Sequence, residues 1–243
     1  MNNAWITEIY KLRKNKMALI GLLATISIPV LLFLKSILID QTKTEYPEWI
    51  LTVSMLINLV FPIMSGFFIT QSIQKEYGEK TIINIITAPV KRTTFIFAKI
   101  AVWLCWYGLI LVITEILTLL GSYLLYPAEM DVASLMFTIR FLTQTALFSF
   151  IAFLPVLWFC IKQRTLFYPS MLCTLVFVML QAVGSQVSEE FLSVLSFVPW
   201  LAVSISSMVP TDSHYFYSCV LSIFCSGIIG VLLTIREFRR QDL

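Results

Sequence analysis

The run "FLSVLSFVPWLAVSISSMV", residues 191–209, decides how many times this chain crosses a membrane. It is apolar enough to be a span, but Pro199 interrupts it, Pro210 closes it and serines punctuate it. Counted as a crossing it makes seven; counted as a broken hairpin it leaves six. That a membrane is the solvent at all follows from composition. Of 243 residues 58% are apolar and 13% charged, against about 45–50% and about 25% in soluble domains. Too few polar side chains remain to cover an aqueous surface.

Six other stretches have the roughly 20 apolar residues that a membrane helix needs. They are 17–39, 49–73, 98–126, 137–161, 167–187 and 215–235. The segments between them alternate in charge. Lys11, Arg13, Lys14 and Lys16 precede the first span; Lys75, Lys80, Lys91, Arg92 and Lys99 flank the second connection. Lys162 and Arg164 occupy the fourth connection, and Arg236, Arg239 and Arg240 the C-terminal tail. Acids dominate the alternate segments: Asp40, Glu45 and Glu48, then Glu129 and Asp131, then Glu189, Glu190 and Asp212. Basic segments stay cytoplasmic, so both termini are expected inside, which requires an even number of crossings. A full crossing by 191–209 would export the C-terminal arginines. The expectation is therefore an all-α integral membrane protein with six transmembrane helices, residues 191–209 forming a re-entrant extracellular hairpin between spans five and six. Such broken backbone is tolerable only where it packs against protein.

At the N-terminus, Trp5, Ile9 and Leu12 share one helical face while basic residues fill much of the rest. Residues 3–16 thus suit an interfacial amphipathic helix, or a cytoplasmic extension of the first span. The basic region before an apolar run resembles a signal peptide, but the run is too long and lacks a small-residue cleavage site, so it reads as a retained anchor. Five cysteines show no CxxC spacing, and one histidine, His214, is too few for a metal cluster. Asp212, Ser213 and His214 are adjacent in sequence, which does not make a triad, because a triad is assembled in space. No G-x-S-x-G or H-E-x-x-H element is present.

The longest polar stretch is "QSIQKEYGEKTIINIITAPVKRTTFIFAK", residues 71–99. Its Gly78-Glu79-Lys80-Thr81 imitates the end of a phosphate-binding loop, but Glu79 stands where that loop needs its second glycine, and a carboxylate there would repel phosphates. ATP hydrolysis by this chain is excluded on that ground. From Lys75 to Ala88 the stretch suits a short helix, closed by Pro89. Ile82, Ile83, Ile85 and Ile86 give it an apolar side, and Glu76, Glu79 and Lys80 decorate the other. Held across the inner membrane surface, it would be a docking knob for a soluble partner, or merely an anchor for the 74–97 loop.

This loop resembles the first cytoplasmic loop of ABC-2 family transporter permeases, in which E-x-x-x-x-[ST] is followed by P-V-x-R-x-x-[FY]-x-x-[AG]-K. Glu76 and Thr81, then Pro89, Val90, Arg92, Phe95, Ala98 and Lys99, match it. The span pattern and the ending "REFRRQDL" are also similar to the family, and the small size resembles the permeases of lantibiotic-immunity and bacitracin-export systems. The resemblance implies a non-catalytic half-transporter of the bacterial cytoplasmic membrane. It would pair with a second permease copy or homologue and with two cytoplasmic ABC ATPase subunits, which carry the ATP and Mg; no cofactor binds this chain, and no nucleic acid is involved. The coupling helix would present Glu76, Tyr77, Gly78, Glu79, Lys80, Thr81, Ile82, Ile83 and Arg92 to the ATPase. The substrate would be an amphiphilic peptide or lipid-like molecule drawn from the membrane, such as an antimicrobial peptide.

Glu115 is the one charged residue well inside an expected span, so a partner or a wet cavity is required. It attracts a cationic substrate, or is a protonated acid bonded to Thr114, Thr118 or a neighbouring helix, or couples protons. Phe197, Pro199 and Trp200 in the hairpin resemble the family's extracellular gate. Pro29, Pro62 and Pro155 are expected to kink their helices, and Ser222, Ser226 and Gly230 to form a small-residue packing face, within or between subunits. Two other classes compete: a membrane scaffold or receptor docking a non-ATPase partner, and a proton-linked secondary carrier centred on Glu115.

Overall fold

The computed structural model of the protein describes residues 16–38, 45–79 and 92–241. The expected interfacial helix lies outside these residues except for Lys16, as do Lys80, Thr81, Ile82 and Ile83. Among the described residues the structure is helical, without strands. Helix α1 is Lys16–Leu38, α2 Tyr46–Gly78, α3 Arg92–Leu125, α4 Val132–Phe153, α5 Pro155–Gln163 and α6 Tyr168–Gly184. A 3-10 turn, Glu189–Phe191, and a single turn α7, Leu192–Leu195, lead to α8, Pro199–Met208, and finally α9, His214–Arg240.

Among the described residues five helical segments are long and apolar enough to cross a membrane: Ala18–Leu38, Tyr46–Gly78, Arg92–Leu125, Val132–Gln163 and His214–Arg240. Helix α6 is apolar but has 17 residues. At 1.5 Å per residue α2 and α3 are each about 50 Å long, against about 30 Å of hydrocarbon, so both project beyond it. The 191–209 run is broken where Pro199 fixes the first turn of α8. Helix α8 spans about 15 Å, half a bilayer.

The core is aromatic. Phe61 of α2 stacks on Tyr107 of α3 at 4.0 Å, and Phe68 on Trp106 at 4.4 Å. The polar tips of these rings are all met inside. Trp103 Nε1 donates to Ser65 Oγ, Trp106 Nε1 to the Ala18 carbonyl and Tyr107 OH to the Ala146 carbonyl. Each bond crosses to another helix, which fixes the rotation of α1, α2, α3 and α4 about their axes. Outward faces carry leucine, isoleucine and phenylalanine: Leu19, Leu23 and Leu31 on α1, Leu221, Phe224 and Ile228 on α9. Lipid, not water, suits that surface.

Proline acts most visibly at Pro155. Lacking an N–H, it cannot bond the Ile151 carbonyl, which instead accepts from Leu154 N at 3.2 Å, and the helix divides into α4 and α5. One turn of backbone is loosened, and the Trp200 indole donates to the Ala152 carbonyl at 3.0 Å. Re-satisfaction by a neighbouring helix is what makes such a break tolerable in lipid. The small-residue face of α9 differs from the expected one. The buried line is Cys219, Ile223, Gly227, Gly230 and Thr234. It packs within the subunit: Gly227 faces Ile151, and Gly230 faces Pro155. Ser222 donates to the Phe197 carbonyl, and Ser226 lines a groove. The i, i+4 spacing of serines marked the neighbouring stripe because residue size alone does not report which stripe meets another helix.

Candidate functional site at the loop stems

The last turn of α2 and the first turns of α3 are the stems of the 80–91 connection. Ser72 and Glu76 share one face of α2, and Phe95 and Lys99 one face of α3, each pair four residues apart. The two faces meet. Lys99 Nζ lies 2.7 Å from Glu76 Oε1, donates to Ser72 Oγ at 3.1 Å, and sits 5.7 Å from the Phe95 ring centre. Both charged side chains are buried, 3% and 5% exposed.

Glu76 therefore differs from the expected docking contact. Lys75 to Gly78, expected to open a separate helix, form the last turn of α2, and the rest of that expected helix, 80–88, lies outside the described residues. That continuation turns Glu76 inward onto Lys99. Tyr77 is also anchored rather than displayed: its hydroxyl donates to Gln241 Oε1 at 2.6 Å. The Gln241 amide nitrogen then donates to the Ile161 carbonyl near the end of α5 at 2.8 Å. Gly78 and Glu79 are exposed, and the open pair at this tip is Lys75 with Glu79, 3.7 Å apart and more than half exposed.

The other stem is held by Arg92. Its guanidinium donates to the carbonyls of Phe238, Arg239 and Gln241 at 3.3, 2.9 and 3.1 Å. The last carbonyls of a helix have no intrahelical donors and carry the negative end of its dipole, so a fixed cation there satisfies both needs. Phe95 stacks on Phe238 at 5.3 Å beside it. Both stems thus bond the same residue, Gln241, and the ends of α2, α3, α5 and α9 converge on one hub. Gln241 was not singled out from sequence. The similarity of the "REFRRQDL" ending was visible, but not what it would touch.

The remaining expected site residues lie apart from the hub. Glu115 is half-buried and accepts a hydrogen bond from Thr143 of α4. Thr114 and Thr118 bond their own helix, to the carbonyls of Ile110 and Thr114. Phe197, Pro199 and Trp200 line one wall of an apolar groove of about 590 Å³, with Phe177 stacked on Trp200 at 3.8 Å. Ser213 caps α9 by accepting from Phe216 N at 3.2 Å, which gives that hydroxyl a structural partner. Among the described residues no three of His, Cys, Asp and Glu gather to hold a metal ion.

No curated protein matches the chain. Residues 5–181, well over half of it, match the family model described as ABC-2 family transporter protein. That stretch contains both loop stems, while α9 and Gln241, on which they are anchored, lie beyond it. The chain belongs to the ABC-2 transporter family and is an integral membrane component of an ABC transport system.

Proposed function

We propose that this chain is the permease subunit of an ATP-driven transporter, with the 80–91 connection docking a cytoplasmic ABC ATPase. In this reading the chain crosses six times, α6 being the fifth crossing and α7–α8 the external hairpin, with both termini cytoplasmic. Two ATPase subunits, carrying ATP and Mg, serve a pair of permeases. The observation that carries the reading is the shared anchorage of the loop stems on Gln241. A push on the loop reaches α2 through Glu76 and Tyr77, α3 through Arg92 and Lys99, and α9 through its capped end. The helix bundle would then move as linked rigid elements between two packings. The residues offered to the ATPase are Lys75, Gly78 and Glu79 at the exposed tip, continued by Lys80, Thr81, Ile82 and Ile83. Glu76, Tyr77 and Arg92 transmit rather than touch.

The substrate in this reading is an amphiphile, such as an antimicrobial peptide exported in lantibiotic or bacitracin self-protection. The family resemblance supports it, as does the apolar groove beside Phe197, Pro199 and Trp200. Glu115 would face the lateral path, held ready by Thr143.

The exchange Lys75→Glu with Glu79→Lys tests the docking. It preserves the pair four residues apart but inverts the charge pattern offered to a partner. Thermal unfolding should stay within about 0.5 kcal/mol of the parent, as exposed substitutions do. The ATPase recovered with tagged permease should fall at least about tenfold, equivalent to about 1.4 kcal/mol. Undiminished recovery would remove the tip from the interface.

A further inference from the structure

Arg140 lies nine residues into α4, inside the apolar run, and is exposed. It has no ion pair or hydrogen bond within the described residues. It stands near the end of the span farther from the loop stems, at the depth where a guanidinium can meet lipid head groups. It opens onto a cavity of about 290 Å³ at the end of the bundle away from the loop stems. Phe137 and Phe141, stacked at 5.8 Å, form one wall with it. Gln144, one turn along, closes the floor by donating to the Ser206 carbonyl at 3.1 Å. Across the cavity, in the connection between α8 and α9, is exposed Asp212.

The two charges line one cavity without pairing to each other. A simple anion there would satisfy Arg140 and be repelled by Asp212; a simple cation would meet the reverse. A ligand carrying both signs close together satisfies both. The volume is near the lower limit of ligand pockets, about 300 Å³, which suits a head group rather than a whole lipid or a peptide. Guanidinium binds phosphate through two parallel hydrogen bonds, and a primary ammonium donates to a carboxylate. We infer that this cavity is a binding site for the phosphoethanolamine head group of a membrane phospholipid, with the phosphate on Arg140 and the ammonium on Asp212. The acyl chains would run from the cavity past Phe141 towards the middle of the span, where Leu147 on α4 is exposed. The site does not depend on how, or whether, an ATPase docks at the other end.

The test titrates the full-length chain, purified in detergent, with short-chain phosphatidylethanolamine, reading bound lipid by native mass spectrometry. Short-chain phosphatidylglycerol and inorganic phosphate are the comparison ligands. Phosphatidylethanolamine should bind at least about tenfold more tightly than either. Arg140→Gln and Asp212→Asn should each weaken it by about tenfold, with thermal unfolding unchanged because both side chains are exposed. Arg140→Lys, which keeps the charge but not the paired hydrogen bonds, should bind at an intermediate level. Equal binding of phosphatidylglycerol, displacement of the lipid by inorganic phosphate, or indifference to either Arg140→Gln or Asp212→Asn would overturn the assignment.

Discussion

Lys99→Met is expected to be among the most destabilising single changes in this chain, costing roughly 3–5 kcal/mol, as breaking a buried ion pair does. The reason is the company Lys99 keeps. Its ammonium is 2.7 Å from Glu76 Oε1 in a site where both side chains are almost fully buried. Methionine fills similar space but takes away the cation that lies 2.7 Å from the buried Glu76 carboxylate. The double variant Lys99→Met with Glu76→Gln removes both charges, and replacing a whole buried pair is often close to neutral. Most of the loss should therefore return. Tryptophan-fluorescence melts of the parent, Lys99→Met and the double variant in one detergent would measure it; Trp103 and Trp106 sit within two turns of Lys99 on α3. If Lys99→Met melts like the parent, or the double variant is no better than the single, the pair does not hold the stems together.

Gly230→Leu is expected to have the second large effect, for a steric reason. A Cβ at position 230 would lie 2.7 Å from the Pro155 nitrogen and 2.8 Å from its Cα. Backbone cannot swing aside as a side chain can. The helix start at Pro155 is itself fixed by Leu154 behind it and by Trp200 on the neighbouring carbonyl. Overpacking typically costs about 1–3 kcal/mol, and here Gly230→Ala should fall within that range, with Gly230→Leu at or above its top. Because α9 also carries the carbonyls that Arg92 caps, displacing it should loosen the loop stems as well. Hydrogen exchange at the end of α9 would report that spread. Ser226→Ala, one turn away on the groove side, should change stability by less than about 0.5 kcal/mol. Equal tolerance at 226 and 230 would mean that α9 does not seat on Pro155 as described.

Much of the helix content was legible because hydropathy reports it directly. The apolar runs read at 98–126 and 215–235 fall within or against α3 and α9, which extend further because their ends are polar but still helical. The break in 191–209 was legible at Pro199, whose geometry acts locally. Charge was less informative about contact. Glu76, Glu79 and Lys80 read as one decorated face, yet Glu76 is buried, since nothing in the one-dimensional pattern says that Lys99 stands opposite. The same limit hid Gln241, whose partners Tyr77 and Ile161 are 164 and 80 residues away. Arg140, near the start of the fourth apolar run, was not singled out from sequence. Its interest arises only when Asp212 is brought to the same cavity. Glu115 was the reverse case, conspicuous in sequence and met in the fold by one threonine from the next helix.

The account of the loop as the ATPase contact is tested most directly by cross-linking at its two extremes. A photoactivatable phenylalanine analogue is introduced at Glu79 in one full-length protein and at Asp212 in another, each expressed in its own membrane. Illumination of the Glu79 protein should produce an adduct containing an ATP-binding subunit, identifiable by labelling with an azido nucleotide, and the Asp212 protein should produce none. An adduct to an ATP-binding subunit from Asp212, or none from Glu79, would contradict the placement of the ATPase at the loop stems.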